Sequence, residues 1–174
     1  MKASEILGKA VIAIDTAEKV GTVEDININP DGRRIEAFWI RTQPEGVLRS
    51  VPVKDIHSLG RDAITIESSG IIQDRTPSVD RGTVQLSKLE GAKVVTRGGN
   101  MVGTVSGVEI DPSNFSITGY EVNTGGVSGF VGQRKKISAD VHYGEDILMV
   151  PEEAEVAAQK EPERRQPQRK KKAA

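Results

Sequence analysis

The sequence predicts an all-β protein built from two tandem copies of one small, strongly bent antiparallel β-barrel. Three observations lead there. The stretch Val20-Gly21-Thr22-Val23-Glu24-Asp25-Ile26-Asn27-Ile28-Asn29-Pro30 returns as Val102-Gly103-Thr104-Val105-Ser106-Gly107-Val108-Glu109-Ile110-Asp111-Pro112. A fixed-period internal repeat marks repeated copies of one unit. The apolar residues fall in short runs rich in Val and Ile, bounded by Gly, Pro, Asn and Asp, as in short strands joined by turns. Finally, the apolar alternation slips at the same place in both copies, from Val23 to Ile26 and from Val105 to Val108. One extra residue in a strand is a bulge, which bends the sheet. Short bent strands fit a closed barrel.

Taken in order, Ile6 and Leu7 lead into Gly8, and Ala10 to Ile14 reads as a strand. Asp15-Thr16-Ala17-Glu18 is a turn, and Val20 to Asn29 is the second strand. Asn29-Pro30-Asp31-Gly32 and Asp111-Pro112-Ser113-Asn114 are turn signals. The strand Arg34 to Arg41 is matched by Ser116 to Asn123, with Phe38 and Ile40 on a core face matched by Tyr120 and Val122. Trp39 falls on the opposite face, where the second copy has Glu121. A short strand, Ser50 to Val53, precedes a turn at 54–60, and Ala63 to Ile66 closes the copy, with Ile71 and Ile72 as its extension. The second copy closes with Ile147 to Val150. The domains are then residues 4–69 and 85–151, with a linker at 70–84 and a short helix and disordered basic tail at 152–174.

The chain has 174 residues. Two copies of about 65 to 70 residues each sit near the lower limit for independent cores, so they should pack on each other or on a second chain, as in a homo-oligomer. No cysteine is present, which excludes disulfides and thiolate chemistry. No apolar run is long enough to span a bilayer, and Met1-Lys2-Ala3-Ser4-Glu5 opens no signal peptide. A cytoplasmic protein is expected, one that is peripheral to a membrane if it meets one at all. The residues from Lys160 onward carry +5 and the remainder −6. The body therefore lacks the basic face of a nucleic-acid-binding domain.

Three groups of residues are candidates for function. Trp39 and Phe130 are large aromatics of the kind enriched in interfaces, although the plainer reading of Trp39 is that it covers the joint between the copies. The stretch from Gly125 to Lys136 reads as a mobile glycine-rich loop, with Phe130 as an anchor and Arg134, Lys135 and Lys136 as cations. Its spacing fails the phosphate-loop and dinucleotide-binding patterns. The tail residues Arg164, Arg165, Arg169, Lys170, Lys171 and Lys172 would meet RNA, acidic lipid or acidic protein in a salt-sensitive way. The two histidines recur as Asp55-Ile56-His57 and Asp140-Val141-His142. Each copy supplies only two ligands where zinc wants three or four, so no metal is expected and the pairs should cap backbone groups. No nucleophile elbow or other catalytic constellation is present, and neither an enzyme, a cofactor nor a small-molecule substrate is expected.

The Gly8 lead-in, Val20-Gly21-Thr22-Val23-x-Asp25-Ile26, Asn29-Pro30-Asp31-Gly32, Ile35 to Ile40, Val51-Pro52 and Asp55-Ile56-His57 together resemble the PRC-barrel domain. The resemblance covers about residues 4–68 and 85–151. That family includes the H subunit of the photosynthetic reaction centre and a ribosome maturation factor. The resemblance implies a small bent barrel in each copy, acting as a docking module with no catalytic residue set. The expectation is a non-enzymatic adaptor that binds a protein partner or complex. Two others are an RNA- or ribosome-associated maturation factor using the tail, and a membrane-periphery assembly factor of a photosynthetic or cell-division complex.

Overall fold

The computed structural model describes residues 1–73, 82–125, 134–138 and 140–153. It is an all-β fold of two sheets, one for each copy. The first copy contains β1 (Ala10–Ala13), β2 (Glu18–Asn29), β3 (Arg34–Thr42), β4 (Leu48–Pro52), β5 (Ile56–Leu59) and β6 (Ala63–Ile66). Next come β7 (Val84–Gln85) and a single helical turn, α1 (Leu86–Leu89). The second copy contains β8 (Lys93–Thr96), β9 (Met101–Ile110), β10 (Ile117–Asn123), β11 (Arg134–Ile137), β12 (His142–Gly144) and β13 (Ile147–Val150). The strand orders are β4-β3-β2-β1-β6-β5 and β11-β10-β9-β8-β13-β12, the same arrangement twice.

Several expectations need correction. β1 with β6, and β8 with β13, are parallel pairs. A parallel pair needs a long crossover, which the intervening strands supply. Each sheet ends in two strands that do not pair with each other, so neither closes into a ring of hydrogen bonds among the described residues. Ile56–Leu59, read as part of a turn, is a strand, and Ile71 and Ile72, read as a strand extension, end and cap a 3-10 turn, Ser69–Ile71. That turn redirects the chain so that Gln73 bridges to Ser50 on the outer edge of β4. The helix expected after Pro151 falls, from residue 154 onward, outside the described residues.

The bulge read from the alternation is present in both copies, at Glu24 opposite β3 and at Ser106 opposite β10. Two further irregularities also repeat, at Val20 and Val102 and at Glu36 and Thr118. These bends let β2 and β9 run along the core and still turn toward the other copy. The glycine of the repeated Val-Gly-Thr-Val motif has a matching cause. A Cβ on Gly21 would lie 2.7 Å from the Arg41 carbonyl oxygen. A Cβ on Gly103 would strike the carbonyl of Asn123, the counterpart of Arg41. The close approach of the second and third strands thus requires glycine at both positions.

One hydrophobic cluster runs through both copies, from Ala3 and Ile6 through Phe38 and Ile40 to Tyr120, Val122, Leu148 and Val150. The copies therefore pack on each other. Their joint is built on a pseudo-two-fold axis. Arg34 bridges antiparallel to Ser116, its own counterpart. Around that pair the Ile35 amide donates to the Phe115 carbonyl at 3.0 Å, and the Ile117 amide donates to the Arg33 carbonyl at 2.8 Å. Arg33 and Phe115 both have positive φ, 51° and 59°. Phe115 meets Phe38 edge-on at 5.8 Å. In the reverse direction the Tyr120 hydroxyl donates to the Pro30 carbonyl at 3.5 Å. The lead-in segments also cross over. Lys2 pairs with Glu109 of β9, and Gln85 pairs with Asn27 of β2.

Gly21→Ala and Gly103→Ala should each lower folding stability by about 1–3 kcal/mol, since a methyl must displace a ladder carbonyl. Denaturant midpoints would report this. An unchanged midpoint would mean that the carbonyl strand moves aside freely.

Candidate docking surfaces

The cations Arg134, Lys135 and Lys136 do not lie in a loop. They form β11, paired with β10 through Asn123, Val122 and Glu121. Charged side chains do not oppose strand formation at a sheet edge, where they reach water and discourage non-specific pairing. Lys136 forms an ion pair with Glu109 of β9. Arg134 is exposed and Lys135 half-buried. Phe130 lies outside the described residues, as do Arg164, Arg165, Arg169, Lys170, Lys171 and Lys172.

Trp39 is 8% exposed and so offers no free aromatic surface, contrary to its reading as a partner anchor. The cause lies in what flanks it. Trp39 stands between Ser50 of β4 and Asp25 of β2. Asp25 in turn accepts from the Ser87 hydroxyl at 2.6 Å and lies within 3.3 Å of the Ser87 amide. The lead-in of the second copy is thereby fastened beside Trp39. The counterpart of Trp39, Glu121, is held by Lys2 of the other lead-in at 2.9 Å. Trp39 and the β11 cations occupy different sheets, and no described hydrogen bond or ion pair links them.

The joint holds an uneven charge cluster. Lys2 pairs with Glu121 and acts on Glu90, which also feels the charge of Asp25. Burial, then the like charges of Asp25 and Glu121, push the Glu90 carboxyl above the usual glutamate range, with Lys2 opposing. The two histidines part ways. His57 Nδ1 meets Glu67 at 2.6 Å, beside an open hollow that Asp55, Ser68 and Gly70 also line. His142 Nδ1 meets Asp31 of the first copy, whose other oxygen accepts from the Tyr143 amide at 3.1 Å. Asp140 turns to Arg33 at 3.8 Å. Among the described residues no three His, Asp or Glu side chains are placed to share a cation. None of the described helices is long and apolar enough to cross a membrane.

One surface feature lies outside the candidates that the sequence suggests. Met149 pairs with Val95, which pairs with Met101, forming a row across β13, β8 and β9. Met149 and Met101 are each 40% exposed, and Ile147 on the same strand face is 39% exposed. The first copy has Thr65, Ile12 and Lys19 in the corresponding row. The signal was available in the primary structure. Ile147-Leu148-Met149-Val150 is apolar without interruption, where Ala63-Ile64-Thr65-Ile66 keeps a polar residue on its outer face.

A sequence profile described as the PRC-barrel domain matches residues 1–71 and 81–156. No curated protein matches the chain.

Glu90 binds its proton more tightly in the folded state than in the unfolded one. Its contribution to stability is present below the usual glutamate range and is lost as pH rises through the raised value. Glu90→Gln should therefore raise the thermal midpoint at neutral pH, and the gain should vanish in acid. A midpoint lowered at pH 7 would mean that the Lys2 attraction outweighs burial.

Proposed function

Because the chain belongs to the PRC-barrel domain family, with two tandem copies, we propose that it is a non-enzymatic adaptor that docks a protein partner or complex. The observation that carries this reading is the exposed Met149–Val95–Met101 row. Methionine side chains are flexible and polarizable and suit adaptable binding surfaces. Exposed apolar area gathered on one face marks an interaction site more readily than scattered residues do. The shared core and the reciprocal bridge between copies hold this face on a stiff platform, which limits the ordering cost of binding. The absence of a matching row in the first copy supports a use specific to the second, since folding alone would be served by Thr65 and Lys19 at these places.

A second reading rests on the +5 tail, which would tether the adaptor to RNA or to an anionic membrane surface. The tail and the row then act separately, the one guiding location and the other choosing the partner.

The test is affinity purification of the tagged full-length protein from its host, beside Met101→Lys/Met149→Lys and beside a version ending at Pro151. The double substitution should lose the protein partner with little change in unfolding midpoint, because both side chains are already partly hydrated. The shortened version should keep the partner and lose any salt-sensitive RNA or membrane material. Retention of every partner by the double variant would sink the row as the docking face. Trp39→Ala, in contrast, should act through stability, with a loss of about 3–5 kcal/mol.

A further inference from the structure

The two copies treat one sheet edge differently. In the first copy the outer edge of β4 is occupied: the Gln73 amide donates to the Ser50 carbonyl at 3.1 Å, and the two residues form an antiparallel bridge. Ser50 stands opposite Trp39. In the second copy the strand in the place of β4 is β11, and the residue opposite Glu121, the counterpart of Trp39, is Lys136. Lys136 therefore directs its backbone N–H and C=O outward, as Ser50 does. Among the described residues nothing pairs with that edge. The fold thus shows, in its own first copy, that this edge can take a backbone bridge from another segment.

We propose that the outer edge of β11 receives an extended acidic segment of a partner protein as an added antiparallel strand. This deepens the adaptor reading and rests on it. The occupant follows from charge. Arg134, Lys135 and Lys136 stand consecutively on the strand, and neither Arg134 nor Lys135 has an ion-pair partner among the described residues. Side chains alternate along an added strand, so glutamates at every second position would gather on one face, that of Lys135, whose charge is not already taken by Glu109 as that of Lys136 is. Backbone hydrogen bonds would supply a sequence-independent part of the affinity, and the cations would select the acidic partner. A second copy of this chain is a poor occupant. Antiparallel pairing of β11 with itself would place cations opposite cations, the arrangement by which edge strands avoid self-association.

The test uses the full-length protein and a fluorescent octapeptide of alternating Glu and Val, with an alternating Lys-Val octapeptide as control. The acidic peptide should bind, more weakly as salt rises, and should protect the Lys136 amide from hydrogen exchange. Lys135→Glu should weaken binding by about tenfold or more, as loss of a charge-assisted contact does. Arg134→Pro removes an outward donor at the first residue of an edge strand, where proline is tolerated, and should also weaken it. Unfolding midpoints of both variants establish that the fold is kept. Binding without protection of Lys136, or equal binding of the Lys-Val control, would overturn the proposal. So would binding seen only after Glu153 and Glu155 are changed to Lys, which would make the chain's own acidic stretch the occupant. If the host partner is still captured by Lys135→Glu, docking stands and the edge mode falls. If no variant of either surface changes what is captured, it is the adaptor reading that fails.

Discussion

The exchange of two backbone hydrogen bonds around Arg34 and Ser116 is the constraint on which the rest of the architecture depends. Ile35 to Phe115 and Ile117 to Arg33 tie the starts of β3 and β10 together in opposite directions. Once that pair is set, several contacts are placed with it. Phe115 comes against Phe38, the Pro30 turn comes under Tyr120, and Asp31 reaches the start of β12. The turn residues that carry the chain into this contact, Arg33 and Phe115, sit in the left-handed region that side chains seldom adopt. Such backbone strain persists only where surrounding contacts over-determine it. Here those contacts are the shared core. Burial acts on Tyr120 as well: desolvation pushes its hydroxyl well above the usual tyrosine range, while Arg33 works against it.

The symmetry is kept in the backbone and broken in the side chains. Trp39 answers to Glu121, Asp25 to Gly107, Leu7 to Glu90 and Thr65 to Met149. These differences are linked. A Cβ on Gly107 would sit 3.2 Å from the Glu121 carboxylate, so an aspartate there would crowd a like charge. Where the large apolar Trp39 replaces Glu121, Asp25 is accommodated and takes Ser87 as its partner. One side of the joint is held by an ion pair to Lys2, and the other by a hydroxyl–carboxylate bond next to a covered indole. Asn27 Oδ1, buried in this region, has no hydrogen-bond partner among the described residues.

Much of this was legible in the primary structure because it depends on local pattern. The repeat located the two copies, the slip at Val23 and Val105 located real bulges, and Phe38, Ile40, Tyr120 and Val122 are in the core as the alternation required. What escaped depends on pairings distant in sequence. Nothing in the alternation at Ala10 and Ala63 says that the strands run parallel. Nothing around Trp39 says that Gln85 and Ser87 will arrive beside its neighbours from the second copy. The cations at 134–136 read as a loop because glycines precede them and the stretch is charged. An edge strand with water on one side tolerates that composition. The methionine row is hidden for a different reason. The unbroken apolar run at 147–150 reads as strand propensity alone, since a sequence does not say which face of the strand stays uncovered.

An interface in which residue i meets j while j meets i is the geometry of a symmetric homodimer. In this chain that geometry is intramolecular, and the consequence is one of mass action. Two separate molecules meeting across such a joint would come apart on dilution, and their stability would follow their concentration. Covalent succession replaces that dependence with a fixed effective concentration. It also removes the rule that every change must appear on both sides. A homodimer could not have placed Trp39 on one half and Glu121 on the other, nor a methionine row on one face only. Covalent linkage is what allows a symmetric backbone to carry on one half a face that the other half lacks.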